Sequence, residues 1–308
     1  MRKVWSILKA AFSDFLADDA MAWAAAIAFY TALSFAPIVL LLISVGDFIG
    51  RDTREGMIGE VQKVLGDEAG GIIETIVSNA NEQQGNGVVP FLISLGVTLF
   101  SASAVFGQLQ VALNHIWEVK PAPGGGGLSS VWTWLRKRML SMGMVLAIAF
   151  LLIASLVASA VVSYVVPADG LLAQLGTVVV SLVIFVPLFA LMFKFLPDAK
   201  VQWIDVIFGS VLTSILFLIG KTLIGLYLGM SGVGSAYGAA GSLILLLVWV
   251  YYSAIILLFG AEITQSRAQQ YGHGLVPEDH AERRANPHRD EQPPADAQAE
   301  AGAGSAPA

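Results

Sequence analysis

The chain has no cysteine in its 308 residues. That excludes disulfides, thiolate catalysis and cysteine-bound zinc or iron–sulfur sites. Histidine is scarce: His115, His273, His280 and His288 are its four, and only His115 precedes the polar C-terminal stretch. No His-rich metal site and no Ser–His–Asp set can be assembled from them. Charge is low as well, at 13% Asp, Glu, Lys and Arg, against the ~25% typical of soluble domains. A soluble surface cannot be built from so little charge. The net charge of −6 argues against a nucleic-acid partner, which calls for a basic footprint. P-loop, dinucleotide and calcium-loop signatures are missing too, so neither a cofactor nor a metal is expected. Arg2 and Lys3 are followed by Lys9, Asp14, Asp18 and Asp19 before any long apolar run, which does not fit a cleavable signal.

Hydrophobic residues are what the chain does have. They make up 56% of it, and mean hydropathy is +0.71. They fall in six blocks, at about Ala20–Val45, Val88–Leu113, Met139–Val165, Leu172–Phe195, Ile204–Leu228 and Ala239–Thr264. Each block exceeds the ~20 residues that carry a helix across the hydrocarbon core. The expected fold is all-α: a polytopic membrane protein with six transmembrane helices and amphipathic helices at the N-terminus and outside.

Residues 1–19 repeat Val4, Trp5, Leu8, Phe12, Phe15 and Leu16 at helical steps between charges, which predicts an amphipathic interfacial helix. The six-span domain covers 20–268. It includes an external amphipathic segment at 46–87 and a cytoplasmic linker at 114–138, in which Pro121 to Gly127 reads as flexible. Residues 269–308 read as a disordered cytoplasmic tail.

Lys and Arg set the orientation. With six spans both termini share a side. Thirteen of the seventeen basic residues fall there, including Arg2, Lys3 and Lys9, the run Arg136-Lys137-Arg138, and Arg283-Arg284. The opposite face has three: Arg51, Arg54 and Lys63. This places both termini in the cytoplasm. Membrane lipids are the expected partners; oligomeric state is not readable.

Six residues stand out as candidates for a substrate path. Pro37 and Pro187 each remove one intrahelical hydrogen bond, giving either functional breaks or packing kinks. Phe35-Ala36-Pro37-Ile38 and Phe185-Val186-Pro187-Leu188 also echo each other weakly, as halves of an inverted repeat would. Gly234 and Tyr237 lie in the stretch 225–241, where six of seventeen residues are glycine. It reads as a mobile or re-entrant hairpin, or as a tight turn with small-residue packing. Lys221 sits inside the fifth block, either snorkelling to the outer interface or serving as a counter-charge for an anionic substrate or Asp47. Glu262 follows Gly260-Ala261 just inside the last block. It belongs to a wider set near the cytoplasmic ends: Asp18, Asp19, Gln108, Gln110, Asn114, Lys194, Asp198 and Asp205. These read as solvated helix ends and interhelical pairs, or as a polar site.

In order along the chain come Ala24-Ala25-Ala26-Ile27-Ala28-Phe29-Tyr30, Ser34-Phe35-Ala36-Pro37, Asn114-His115-Ile116-Trp117 and Arg136-Lys137-Arg138-Met139-Leu140. Lys194-Phe195-Leu196-Pro197-Asp198, Tyr237-Gly238-Ala239-Ala240-Gly241-Ser242, Trp249-Val250-Tyr251-Tyr252 and Gly260-Ala261-Glu262 follow. With these pieces the chain resembles the YihY/virulence factor BrkB family of bacterial inner-membrane proteins over about residues 10–268. The resemblance implies a place in the bacterial inner membrane, six spans, cytoplasmic ends and a role in envelope integrity with envelope proteins as further partners; transport of a lipid or amphiphile is suggested and no substrate assigned. The linker from Pro121 to Gly127 departs from the usual family loop. A ribonuclease label once attached to such proteins does not suit these residues. Phosphodiester hydrolysis of that type needs clustered metal ligands or paired acid–base groups. The expected function is therefore transporter-like handling of an envelope lipid or small amphiphile by a non-enzyme, with a non-transporting envelope scaffold as the alternative.

Overall fold

The computed structural model describes residues 2–49, 55–56, 59, 96, 100–101, 103–122, 135, 139, 142–144, 147, 150–151, 171–231, 241–272, 274, 276–278 and 281–284. These residues are mostly helical. The elements are α1 (Arg2–Ala17), α2 (Ala20–Ile49), α3 (Ala104–Ile116), β1 (Val119–Pro121), α4 (Leu171–Phe195), α5 (Trp203–Ser231), α6 (Gly241–Tyr271) and β2 (Ala281–Arg283).

Four helices among the described residues are long and apolar enough to cross a membrane: α2, α4, α5 and α6. They match the first, fourth, fifth and sixth apolar blocks. The second block is described only in part, ending in α3, and the third only at scattered helical positions such as Met139 and Phe150. Most of the external segment 46–87, the glycines of the linker, and Gly234 and Tyr237 lie outside the described residues.

Two features depart from the sequence expectation. The last helix does not end near Thr264; it runs to Tyr271, so Arg267 is part of α6. The segment expected to be disordered from residue 269 also contributes a strand. β2 pairs antiparallel with β1, Lys120 opposite Glu282, and adds a small ribbon to an otherwise helical fold. Neither strand announces itself in sequence, because each is three residues long and is held by pairing rather than by a periodic pattern.

Helix α5 shows how the bundle is built. Ile204, Ile207, Val211, Ile215, Ile219, Leu223 and Leu226 are all exposed and recur every three or four residues. Together they form one continuous outward stripe. At 1.5 Å per residue the stripe is about 33 Å long, close to the ~30 Å of bilayer hydrocarbon. The opposite face buries Ser210, Thr213 and Ser214 along with Val206 and Phe217. Apolar side chains face out and small or hydroxyl ones face in, as helices in lipid require.

α5 and α6 are antiparallel neighbours, locked by a reciprocal pair of glycine–threonine contacts. A Cβ on Gly209 would overlap Thr264 Oγ1, and one on Gly260 would overlap Thr213 Oγ1. Each threonine hydroxyl donates back along its own helix, Thr213 to the Gly209 carbonyl at 2.6 Å and Thr264 to that of Gly260 at 2.8 Å. Both hydroxyls are thus satisfied without water, and the backbones come close. Farther along, Gly220 lies against Tyr252 and Ile256, and Phe217 meets Trp249 edge to face. α4 joins this pair through Phe185 and Phe189, which both pack on Phe217.

Asp19 separates α1 from α2 with φ +50, a left-handed conformation that aspartate tolerates better than most side chains. Its carbonyl then accepts from Ala22 and Trp23 N–H, which starts α2. α1 folds back along the groove between α5 and α6. Its Ile7 and Ala11 cluster with Ile263 and with Phe208, Leu212 and Leu216.

A buried polar end as the candidate functional site

One end of the bundle gathers the start of α2, the finish of α3, the α4–α5 turn and the finish of α6. Asp18, Gln110, Asn114, Glu118, Asp198, Asp205, Glu262 and Gln265 are all buried there or within a few turns of it. An ion or amide in such a place is costly unless paired or hydrogen-bonded. The structure shows how several of them are satisfied.

Asp198 is the centre of one network. Its carboxylate accepts from Gln110 Nε2 at 3.1 Å and from Asn114 Nδ2 at 2.8 Å. Its backbone N–H donates to Asn114 Oδ1 at 2.7 Å. Gln110 and Asn114 are one turn apart on α3, so both amides reach the α4–α5 turn together. Lys194, at the end of α4, donates to the Val201 carbonyl and lies over the Trp203 ring at 5.6 Å. Asp205 opens α5 and is ion-paired with Arg267 of α6, while Arg267 also stacks on Phe208 at 4.9 Å. Gln265 donates to the Ile116 carbonyl at the end of α3, which fills an acceptor that helix termini otherwise leave open.

The chain after α6 crosses these same parts as a strap. Lys200 N–H donates to the Val276 carbonyl at 2.7 Å, and Glu278 N–H donates to the Asp198 carbonyl at 3.0 Å. Lys120 pairs with Glu282 at 3.0 Å and Arg283 with Glu118 at 3.6 Å. Glu118 has φ +50, an uncommon conformation for a non-glycine residue. Its carbonyl accepts from Arg284 N–H at 2.7 Å. Arg284 donates from its guanidinium to His115 Nδ1, and the imidazole sits 5.1 Å from the Trp23 ring. Burial, with the Arg284 charge adding to it, holds the His115 pKa below the usual imidazole value, against an opposing pull from Asp19.

The six sequence candidates are spread widely. Glu262 is fully buried in α6. Lys221 is half-buried on α5. Gly220 faces Tyr252, whereas Thr213 faces Gly260, so Lys221 lies about ten residues, or roughly 15 Å, along the hairpin from Glu262. The two do not form one site. Pro37 is half-buried in α2 and Pro187 is exposed on α4, so the two prolines occupy unlike environments. Of the wider set, Gln110, Asn114 and Asp198 come together, Asp205 finds Arg267, and Asp19 is exposed. Arg267, Glu118, Gln265 and the strap were missed. The G-x-x-x-T spacing shared by Gly209/Thr213 and Gly260/Thr264 was the readable sign of the α5–α6 lock. Among the described residues, no three His, Cys, Asp or Glu side chains gather closely enough to hold a metal ion.

Apolar-out helices and a polar end define a multi-pass helical membrane protein. More narrowly, the chain belongs to the virulence factor BrkB family, whose model matches residues 11–286. It is 27% identical to a UPF0761 membrane protein of Rhodospirillum centenum, over 84% of this chain and 56% of that protein. It is 28% identical to a UPF0761 membrane protein of Pseudomonas aeruginosa, over 80% of this chain and 59% of that one. The chain therefore spans somewhat over half the length of these relatives. The ribonuclease-like protein YfkH of Bacillus subtilis is 23% identical over 84% of this chain and 94% of its own length. No solved structure matches.

Proposed function

We propose that the protein is a six-span protein of the bacterial inner membrane, with both termini in the cytoplasm, that handles an envelope lipid or small amphiphile in a transporter-like way. The observation that carries this reading is Glu262, fully buried within an apolar helix of the bundle. Ionisable groups inside membrane helices are expensive and concentrate on substrate and ion pathways. The basic residues of α1 (Arg2, Lys3 and Lys9) and those after α6 (Arg283, Arg284 and Arg289) support the assigned orientation. With no nucleotide-binding motif in the sequence, an ion gradient, a lipid gradient or a partner ATPase would drive movement. The ribonuclease-like name of the Bacillus relative does not carry over, since Arg136-Lys137-Arg138 is the one short basic run available for RNA.

The test is purified protein in liposomes with fluorescent phospholipids and single-chain amphiphiles. Movement by the wild type that is lost in Glu262→Gln and weakened in Lys221→Met is the expected result. Folded wild-type protein that neither binds nor moves any lipid would overturn it. The second reading, an envelope scaffold, is favoured by the strap that ties the end of α3 and β1 to the α4–α5 turn. One stoichiometric partner in a pull-down, with full function after replacement of Lys221, Gly234 and Glu262, would establish it instead.

A further inference from the structure

We propose that α1 is a lipid-facing wedge that enters an anionic leaflet at the polar end, with Trp5 among the headgroups and Leu16 among the acyl chains. This goes beyond the transport reading and stands without it, requiring only that the bundle sits in a bilayer.

The circumference of α1 divides into three sectors. Ile7, Ala11 and Phe15 point inward and are buried. Trp5, Phe12 and Leu16 share the next sector and are 71%, 58% and 51% exposed, too large an apolar face to leave in water. Lys9 and Ser13, both exposed, follow on the far side of that face. An apolar face bordered by a lysine and led by a tryptophan is the pattern that seats a helix at a lipid surface.

The position of α1 fixes its depth. Lys3 lies over the Tyr271 ring at 5.5 Å and Ser6 donates to Gln270 at 3.3 Å. Phe15 meets Phe259 edge to face at 5.8 Å. The helix therefore runs beside the last three turns of α6, from the outermost turn inward, rather than across the bundle's end. It also packs on Phe208, Leu212 and Leu216 of α5. Ile204, Ile207 and Val211, on that same stretch of α5, begin the outward apolar stripe. The Trp5–Phe12–Leu16 face thus lies alongside the lipid-facing stripe of α5. Lipid is the occupant that this continuity selects, and Lys3 and Lys9 select anionic headgroups.

The absence of native cysteine permits a clean test on the full chain. Trp5→Cys, Phe12→Cys, Leu16→Cys and, as a water reference, the exposed Gln269→Cys are each labelled with a nitroxide in nanodiscs of phosphatidylglycerol or phosphatidylcholine. Accessibility to oxygen is compared with accessibility to a water-soluble nickel chelate. The expected oxygen preference rises in the order 5, 12, 16 and is reversed at 269. It is larger in phosphatidylglycerol, and Lys9→Gln reduces that gain over phosphatidylcholine. Nickel preference at 5, 12 and 16 would place the face in water and overturn the proposal. Exclusion of both reagents at all three would overturn it in favour of a second copy or another segment of the chain. Equal behaviour in the two lipids would refute the anionic headgroup.

Discussion

α5 turns Ile207, Val211 and Ile215 outward, while Gly209 and Thr213 meet Gly260 and Thr264 of α6 through close backbone approach and self-bonded threonines. One turn nearer the polar end, the same two helices are joined by Asp205 and Arg267, and their neighbours by Asp198, Asn114 and Gln110. The contrast shows two ways of holding helices together. Where the surroundings are apolar, burying more apolar surface gains little, so cohesion comes from close backbone approach. Where loops and charges gather, cohesion comes from satisfying each buried polar group. The strap belongs to the second regime and adds exposed ion pairs over a buried network.

The largest effect is expected from breaking the buried ion pair. Arg267→Ala leaves the carboxylate of Asp205, which is 3% exposed, buried without its guanidinium, and should cost about 3–5 kcal/mol. Thermal unfolding in detergent reads this, and Arg267→Lys should recover only part of it, since it keeps the charge and loses the planar stack on Phe208. Next comes the glycine–threonine lock between α5 and α6. Gly260→Ala drives a methyl into Thr213 and should cost about 1–3 kcal/mol, whereas Gly260→Ala combined with Thr213→Ala should be milder than Gly260→Ala alone. A double-mutant cycle without coupling would mean that the two helices do not meet there.

Acid should loosen the strap at the polar end first. The pKa of His115 is lowered in the folded chain, so the unfolded state takes up its proton first as pH falls. The contribution of His115 to stability is then present above the usual imidazole value and lost as pH drops through it and below. Protection of the Glu118 and Glu278 amides from hydrogen exchange should fall between neutral and mildly acidic pH, and His115→Gln should flatten that dependence. The smallest effect belongs to Lys120→Ala. Its partner Glu282 is 40% exposed and Lys120 itself 53%, so a loss of under about 1 kcal/mol is expected.

The long apolar runs made α2, α4, α5 and α6 legible in the sequence, because a span leaves about twenty residues of one character. The polar set near the helix ends was legible as residues but not as pairs. Asn114 and Asp198 are far apart in sequence, and nothing local in either says that they share hydrogen bonds. Arg267 lies past the sixth apolar block, so nothing in the block marked it as helical; α6 keeps going after its apolar run ends. The strap could not be read at all: its strands are three residues each and depend on partners more than 150 residues away. Tyr237 and Gly234 lie beyond the described residues.

The account rests on α5 and α6 crossing a bilayer with their charged end in the cytoplasm. The most direct measurement is labelling of Gln269→Cys by a membrane-impermeant maleimide in intact spheroplasts and after permeabilisation. Labelling only after permeabilisation is the predicted result, whereas full labelling of intact spheroplasts would put this end of the bundle outside and contradict the account.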